Sequence, residues 1–396
     1  MKSAPRSDAS SAAVAFVFRR DLRLQDNPML DEALRKGAAL FLLIQPEQTN
    51  ERQTQLMREV AGQLAKELGR EIEICVGVKE LLGKLVSKAN DKRQRVYMNW
   101  LPFGLDAVRA LKAEPRVELL YGRMGAEPYY DCLLFGQPAL KADSTAYKKY
   151  TPFFEHCLTL PVVRPDGLQL GPGPSQQQRQ TAAAVEASSH RAQALHLARM
   201  PHSQSQDYWS LTSRDQLLGR SPHARTSSQL STYLTLGVLS PREAVYLCRD
   251  AEFHRQVLWR EFYYCLSFAD TALRDAGPPA PFDNAACKPI DWTASKRPLE
   301  RWAAGQTGQP AVDAAMQQLA AVGWLHNRAR LIVASYLIND LQTHWQHGER
   351  HFARLLLDFD PILNNYNWQW VAGCGPFSQP HFRTLSVERQ SKHWLG

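Results

Sequence analysis

The chain has 396 residues, 44% of them apolar, which is enough to fill two compact cores and excludes a largely disordered polypeptide. A formal net charge of +8 favours a polyanionic partner such as nucleic acid. There is no run of about 20 apolar residues to cross a bilayer, and the opening MKSAPRSDASSAA lacks the apolar centre of a secretory signal. A soluble intracellular protein of cytoplasm or nucleus is therefore expected, with no membrane association. Residues 1–13 read as a frayed terminus; their Ser and Ala content also occurs in organelle transit peptides, but Asp8 argues against one. The seven cysteines are far apart, with no C-x-x-C pair and no metal-ligand spacing, so reduced thiols and no metal are expected.

Along the chain, Val14 to Phe18 reads as a buried parallel strand, followed by a charged loop and an amphipathic helix from Pro28 to Gly37. Ala38 to Ile44, Glu71 to Val76 and Arg95 to Met98 repeat the strand signal, alternating with helical stretches at Thr54 to Leu68 and Gly104 to Leu111. This alternation predicts an α/β domain with a doubly wound parallel sheet over 14–155. Residues 156–206 turn to Pro, Gly, Gln, Ser and Ala, the composition of a linker. From 207 to 396 helical periodicity dominates, at Pro241 to Arg249, Phe253 to Phe268, Val312 to Leu341 and Arg350 to Leu357, which predicts a mainly α-helical second domain.

That second half also concentrates tryptophan: Trp259, Trp292, Trp302, Trp324, Trp345, Trp368 and Trp370. Clustered indoles serve either a large core or a flat aromatic ligand. In Val312 to Leu341, Asn327 and Arg330 share one helical face, and Trp324, Arg328 and Leu331 form a neighbouring stripe. Polar groups in a core helix need partners. Asp358, in LLLDFDPILNN, is a candidate partner for Arg330, beside Asn364 and Asn365; the alternative is an ordinary ion pair with Asp and Asn as helix caps. Trp368 and Trp370, two apart in YNWQWV, point to different sides of a helix and so do different jobs.

Several ordered blocks resemble one known family. GVLSPR (Gly237 to Arg242), WREFYY (Trp259 to Tyr264), TGQPAVDAAMQQL (Thr307 to Leu319), GWLHNRARLIVASYL (Gly323 to Leu337), the stretch from Asp358 to Trp370, and PHFR (Pro380 to Arg383) are similar to the FAD-binding domain of photolyases. FVFRRDLRLQDNPML (Phe16 to Leu30) and YTPF (Tyr150 to Phe153) resemble the start and end of the same family's first domain.

The resemblance to the photolyase/cryptochrome family implies FAD as cofactor. It also implies light-driven electron transfer from reduced flavin to a pyrimidine dimer flipped out of damaged DNA, in a protein acting as a monomer. Residue by residue, it implies flavin contacts at Tyr208, Ser227, Ser228, Leu230, Ser231, Asn327, Arg330, Asp358, Asp360 and Asn364, with Asn364 facing the reactive ring nitrogen. It implies electron transfer through Trp368 near the flavin, Trp345 in the middle and Trp302 toward the surface, and lesion contacts at Gln256, Trp259, Arg328, Leu331 and Trp370.

The pattern is broken in three places. Cyclobutane-dimer photolyases resemble one another in having Glu where this chain has Gln256, which keeps hydrogen bonding but loses the carboxylate, and the usual methionine of the pocket is Leu331. The Asn-Glu pair that anchors a folate antenna is replaced by Gly104 and Leu105, which weakens the expectation of a folate or deazaflavin antenna. The chain stops sooner after PHFR than is usual in the family, and 208–225 is longer. The resemblance is strongest to class I cyclobutane-dimer photolyases, through HNR, the Asn364-Asn365 pair and WQW. A cryptochrome-like light sensor with an unnamed signalling partner is the alternative that Gln256 supports. A (6-4) photolyase is disfavoured because Asn327 follows His326.

Overall fold

The computed structural model describes residues 13–89, 92–124, 127–162, 230–247, 251–269 and 296–375. Five parallel strands, β1 (Ala13–Phe18), β2 (Ala39–Ile44), β3 (Ile72–Val76), β4 (Gln94–Met98) and β5 (Val117–Tyr121), form one sheet in the order β3-β2-β1-β4-β5. Their side chains alternate between two buried faces, as a sheet covered on both sides requires. Phe16, Phe18, Leu40 and Leu42 pack under α1 (Pro28–Arg35) and α2 (Glu51–Leu68), whereas Ala15, Val17, Phe41 and Leu43 pack under α3 (Val78–Lys88) and α4 (Leu105–Ala113). The expected strands and helices of this half are present to within a few residues. β5 and α3, which were not singled out from the sequence, complete the alternation.

Asparagine side chains start two of these helices. Asn27 accepts from the backbone N–H of Leu30 at 3.3 Å, and Asn50 from that of Gln53 at 2.9 Å.

The second half is helical throughout its described residues: α5 (Tyr150–Cys157) leads to α6 (Ser231–Leu236), α7 (Pro241–Leu247), α8 (Ala251–Ala269), α9 (Lys296–Ala303), α10 (Pro310–Val322), α11 (Asn327–Ser335), α12 (Trp345–Leu355) and α13 (Pro361–Ala372). The continuous helical pattern expected from Val312 to Leu341 is divided. Gly323 closes α10 with φ +68°, and a Cβ there would lie 2.8 Å from the Leu355 carbonyl, so the chain turns before α11 begins. Trp324 therefore does not share a helix with Arg328 and Leu331. A π-helical turn, Tyr336–Asp340, ends α11. Among the described residues no helix is long and apolar enough to cross a membrane, and no group of His, Cys, Asp or Glu is arranged to hold a metal.

The loop after β1 welds the two halves together. Arg242, fully buried on α7, donates to Asp26 at 2.8 Å, to Asp131 at 3.1 Å and to the carbonyls of Asp131 and Leu133 at 2.8 and 3.0 Å. Arg23 pairs with the same Asp131 at 2.6 Å and donates to the Gly237 carbonyl at 3.3 Å. Only glycine fits at 237, because a Cβ would stand 1.9 Å from the Arg20 carbonyl oxygen.

Glu261, buried on α8, takes the backbone N–H of Leu134 on both carboxylate oxygens, at 2.9 and 3.0 Å. Burial raises its pKa from 4.5 to about 7. Between those values the folded chain keeps a proton that the unfolded chain has released, so this group makes stability fall as pH rises from about 5 to about 7, with no further slope above that window. Urea midpoints measured across the range are expected to show this decline, and Glu261→Gln to flatten it; an unchanged slope in the variant would remove Glu261 from the account.

Candidate flavin and lesion site

The site is assembled by the loop Leu356–Asp360, which α2 holds from the α/β side. Asn50 donates to the carbonyls of Ala353 and Leu356 at 2.9 and 2.7 Å, and Gln53 to those of Leu357 and Phe359 at 2.9 and 2.8 Å. The capping asparagine of α2 thus also orients the two aspartates that follow. Asp358 receives Arg330 of α11 at 2.6 Å, the pairing suggested by the sequence. Its other oxygen, Oδ1, is buried without a hydrogen-bond partner among the described residues. A buried carboxylate oxygen of this kind calls for a donor, which a ribityl or ribose hydroxyl or a ring N–H provides; the site therefore fits the expected FAD.

Asp360 carries out the structural role the sequence left open. Its Oδ1 caps α13 by accepting from the N–H groups of Ile362 and Leu363, each at 2.9 Å, and its Oδ2 accepts from the buried Tyr264 hydroxyl at 2.5 Å. Any contact of Asp360 with a ligand shares those lone pairs. Close by, the buried Arg20 donates to the Gln48 carbonyl at 2.7 Å, and burial lowers its pKa to about 10 against the opposing pull of Asp360 and Tyr264.

Asn364, on α13, donates its amide to the Glu349 carbonyl at 3.1 Å and to the Glu349 carboxylate at 2.9 Å. Glu349 was not singled out from the sequence, where one Glu in a charged helix carries no distinguishing signal. Burial raises its pKa, opposed by the hydrogen bond from Asn364. Ser231 accepts from the Trp324 indole at 3.2 Å, which brings the start of α6 to the turn before α11. Asn327 is exposed as the first residue of α11; Arg328 and Leu331 are half-buried on the same helix. Leu230 immediately precedes α6. Tyr208, Ser227 and Ser228, together with Trp292 and the PHFR segment, lie outside the described residues.

The tryptophans are arranged differently from expectation. Trp302 does not reach the surface: it has no exposed area, its indole donates to the Val333 carbonyl at 3.0 Å, and its ring meets Trp368 edge to face at 6.2 Å. The reason is the pattern KRPLERWA of α9, in which charged residues surround one apolar stripe that carries Leu299 and Trp302 into the core of α10 and α12. Phe352 packs against both indoles, 6.2 Å from Trp302 and 5.1 Å from Trp368, so that the three rings form a triangle. Trp345, also buried, stacks on His344 at 5.9 Å rather than on either of them. Gly348 of α12 makes room for Trp368, since a Cβ there would lie 2.2 Å from that indole.

The proposed lesion residues Gln256 and Trp259 follow one another by three along α8, on one helical face, with Gln256 exposed and Trp259 half-buried. Trp370 is half-buried on α13, which packs on α8 through Tyr366, stacked on Tyr263 at 5.6 Å. Trp368 lies in the buried core, whereas Trp370 is half-buried.

A separate cavity of about 460 Å³ opens at the carboxyl ends of β4 and β5. Trp100, Tyr130 and Phe268 form its aromatic wall, Arg109 and Lys112 its basic side, and Leu105 lies where the antenna carboxylate was sought.

Comparison with known proteins agrees with this geometry. Residues 253–394 match the family model of the FAD binding domain of DNA photolyase. The deoxyribodipyrimidine photo-lyase of Alkalihalophilus pseudofirmus is 29% identical over 434 residues, covering 97% of this chain and 85% of that protein. Among solved structures, a bacterial class III photolyase from Agrobacterium tumefaciens superposes with a TM-score of 0.69 at 25% identity, over 99% of this chain and 86% of the other. The cryptochrome of Synechocystis does so with a TM-score of 0.70 at 21% identity, over 100% and 87%, a likeness of fold alone. An α/β domain with a doubly wound parallel sheet, joined to a helical half that carries the match to the FAD binding domain of DNA photolyase, is the fold of photolyases and cryptochromes.

Proposed function

We propose that the protein is a deoxyribodipyrimidine photo-lyase, repairing pyrimidine dimers in DNA by light-driven electron transfer from reduced FAD. The observation that carries this reading is the Arg330–Asp358 pair, whose Asp358 Oδ1 still lacks a donor, in the region that matches the FAD binding domain of DNA photolyase. FAD, when bound, supplies the light absorption and the transferable electron. Arg330 and Asp358 hold it, with Ser231, Leu230 and the Tyr208, Ser227 and Ser228 segment as further contacts. Asn327 and Asp360 supply peripheral ones. Asn364 gives its N–H groups to Glu349, which leaves its carbonyl oxygen as the acceptor it would offer to a protonated, reduced ring nitrogen.

Trp302, Trp345 and Trp368 are the candidate donors for photoreduction. Damaged DNA is the partner, bound by a monomer, with the dimer swung out between Trp259 and Trp370 and met by Gln256, Arg328 and Leu331. The +8 charge supplies long-range attraction for phosphates. In the second cavity the aromatic wall and the Arg109 and Lys112 side chains suit a planar, anionic antenna chromophore, although Leu105 withholds the carboxylate anchor of a folate.

Gln256→Glu tests the lesion assignment. Exchanging a neutral for a charge-assisted hydrogen bond worth about 1 kcal/mol is expected to raise repair of thymine dimers roughly fivefold. An unchanged rate would place Gln256 away from the lesion.

A further inference from the structure

Trp259 does not stand alone at the proposed lesion pocket. Tyr150, the first residue of α5, lies on its indole with ring centroids 3.6 Å apart and planes only 3° from parallel. The Tyr150 hydroxyl donates to the Arg255 carbonyl at 2.9 Å, one helical turn before Trp259, so the tyrosine is tied to α8 at two points. Its own ring is fixed from behind, 5.8 Å from Phe154 and, edge-on, 5.8 Å from Phe262. The Arg255 guanidinium lies over Phe154, 5.2 Å from its centroid, and closes the cluster. A ring held by aromatic neighbours and a hydrogen bond is a wall, not a plug that swings aside for a ligand.

We infer that Tyr150 is a positioning residue for the lesion pocket: it covers one face of Trp259, fixes the plane of the indole, and leaves only the opposite face for an extruded base. The inference rests on the lesion role proposed for Trp259. Stacking of a base on an aromatic side chain is worth about 1–3 kcal/mol and depends on the ring being held flat and immobile. A free indole would lose part of that through rotamer freedom. Tyr150 therefore acts on the preference for damaged over undamaged DNA, which a merely structural residue would leave alone.

The experiment measures, on the flavin-loaded full chain in the dark, the dissociation constants for a thymine-dimer oligonucleotide and for its undamaged twin by fluorescence anisotropy. Tyr150→Met fills the same space without a flat face, and its damaged-to-undamaged preference is expected to fall by about tenfold, about 1.4 kcal/mol. Tyr150→Phe keeps the ring and should stay within about twofold of wild type, since the hydroxyl bond lies at an exposed edge. Tyr150→His, with a smaller ring, should fall between them and serves as the test if the methionine variant does not fold. Equal preference in all foldable variants overturns the inference. Trp259→Ala, run beside them, separates the two claims. If it too leaves the preference intact, the lesion role of Trp259 fails and the inference with it. If it abolishes the preference while the Tyr150 variants do not change it, only the inference fails.

Discussion

Replacing Arg242 by methionine is expected to cost about 3–5 kcal/mol, seen as a large drop in the urea midpoint and in flavin retention. The guanidinium is fully buried and is the common partner of Asp26 and Asp131, which come from two separate loops of the α/β half. Methionine fills most of the volume but removes the Arg242 hydrogen bond to the Asp26 carboxylate and the donors to the Asp131 and Leu133 carbonyls. Asp131 keeps Arg23, which limits the loss. Because α7 follows directly on Gly237 and the Ser231 helix, the damage is expected to spread to the flavin site before it reaches the sheet. A loss below about 1 kcal/mol would show that the buried pairs contribute no net stability.

Trp368→Phe is expected to slow light-driven flavin reduction by about tenfold or more, equivalent to about 1.4 kcal/mol of barrier. Phenylalanine keeps an aromatic ring against Gly348 and Phe352, so the fold and the bound flavin should survive. It is far harder to oxidise than an indole and breaks the only edge-to-face contact that Trp302 makes with another tryptophan among the described residues. Stopped-flow absorbance under continuous blue light follows the rate. If the rate is unchanged, electrons reach the flavin by another route. The same measurement on Trp302→Phe and Trp345→Phe ranks the three: the direct Trp302–Trp368 contact predicts that Trp302 matters at least as much as Trp345.

Much of this was legible in the residues. The parallel sheet follows from short apolar runs alternating with amphipathic helices, a signal that survives without knowledge of packing. The Arg330–Asp358 pair was also within reach, since an arginine in an apolar helix demands an anion. Three things were not. The break at Gly323 is hidden because a single glycine inside a helical pattern does not announce the positive φ that closes a helix. The burial of Trp302 depends on which way an eight-residue helix faces, which α10 and α12 decide. The partnerships of Glu349 with Asn364 and of Tyr150 with Trp259 join residues 15 and 109 positions apart, and no local spacing reports them.

The most direct test of the central claim is made on the purified protein, in the dark and then under blue light: its absorption spectrum, followed by the count of dimers remaining in ultraviolet-damaged thymine oligonucleotides. A flavin spectrum with dimers lost only under illumination is the predicted result. A bound flavin that photoreduces while every dimer survives would contradict the repair assignment and make a light sensor of the same fold.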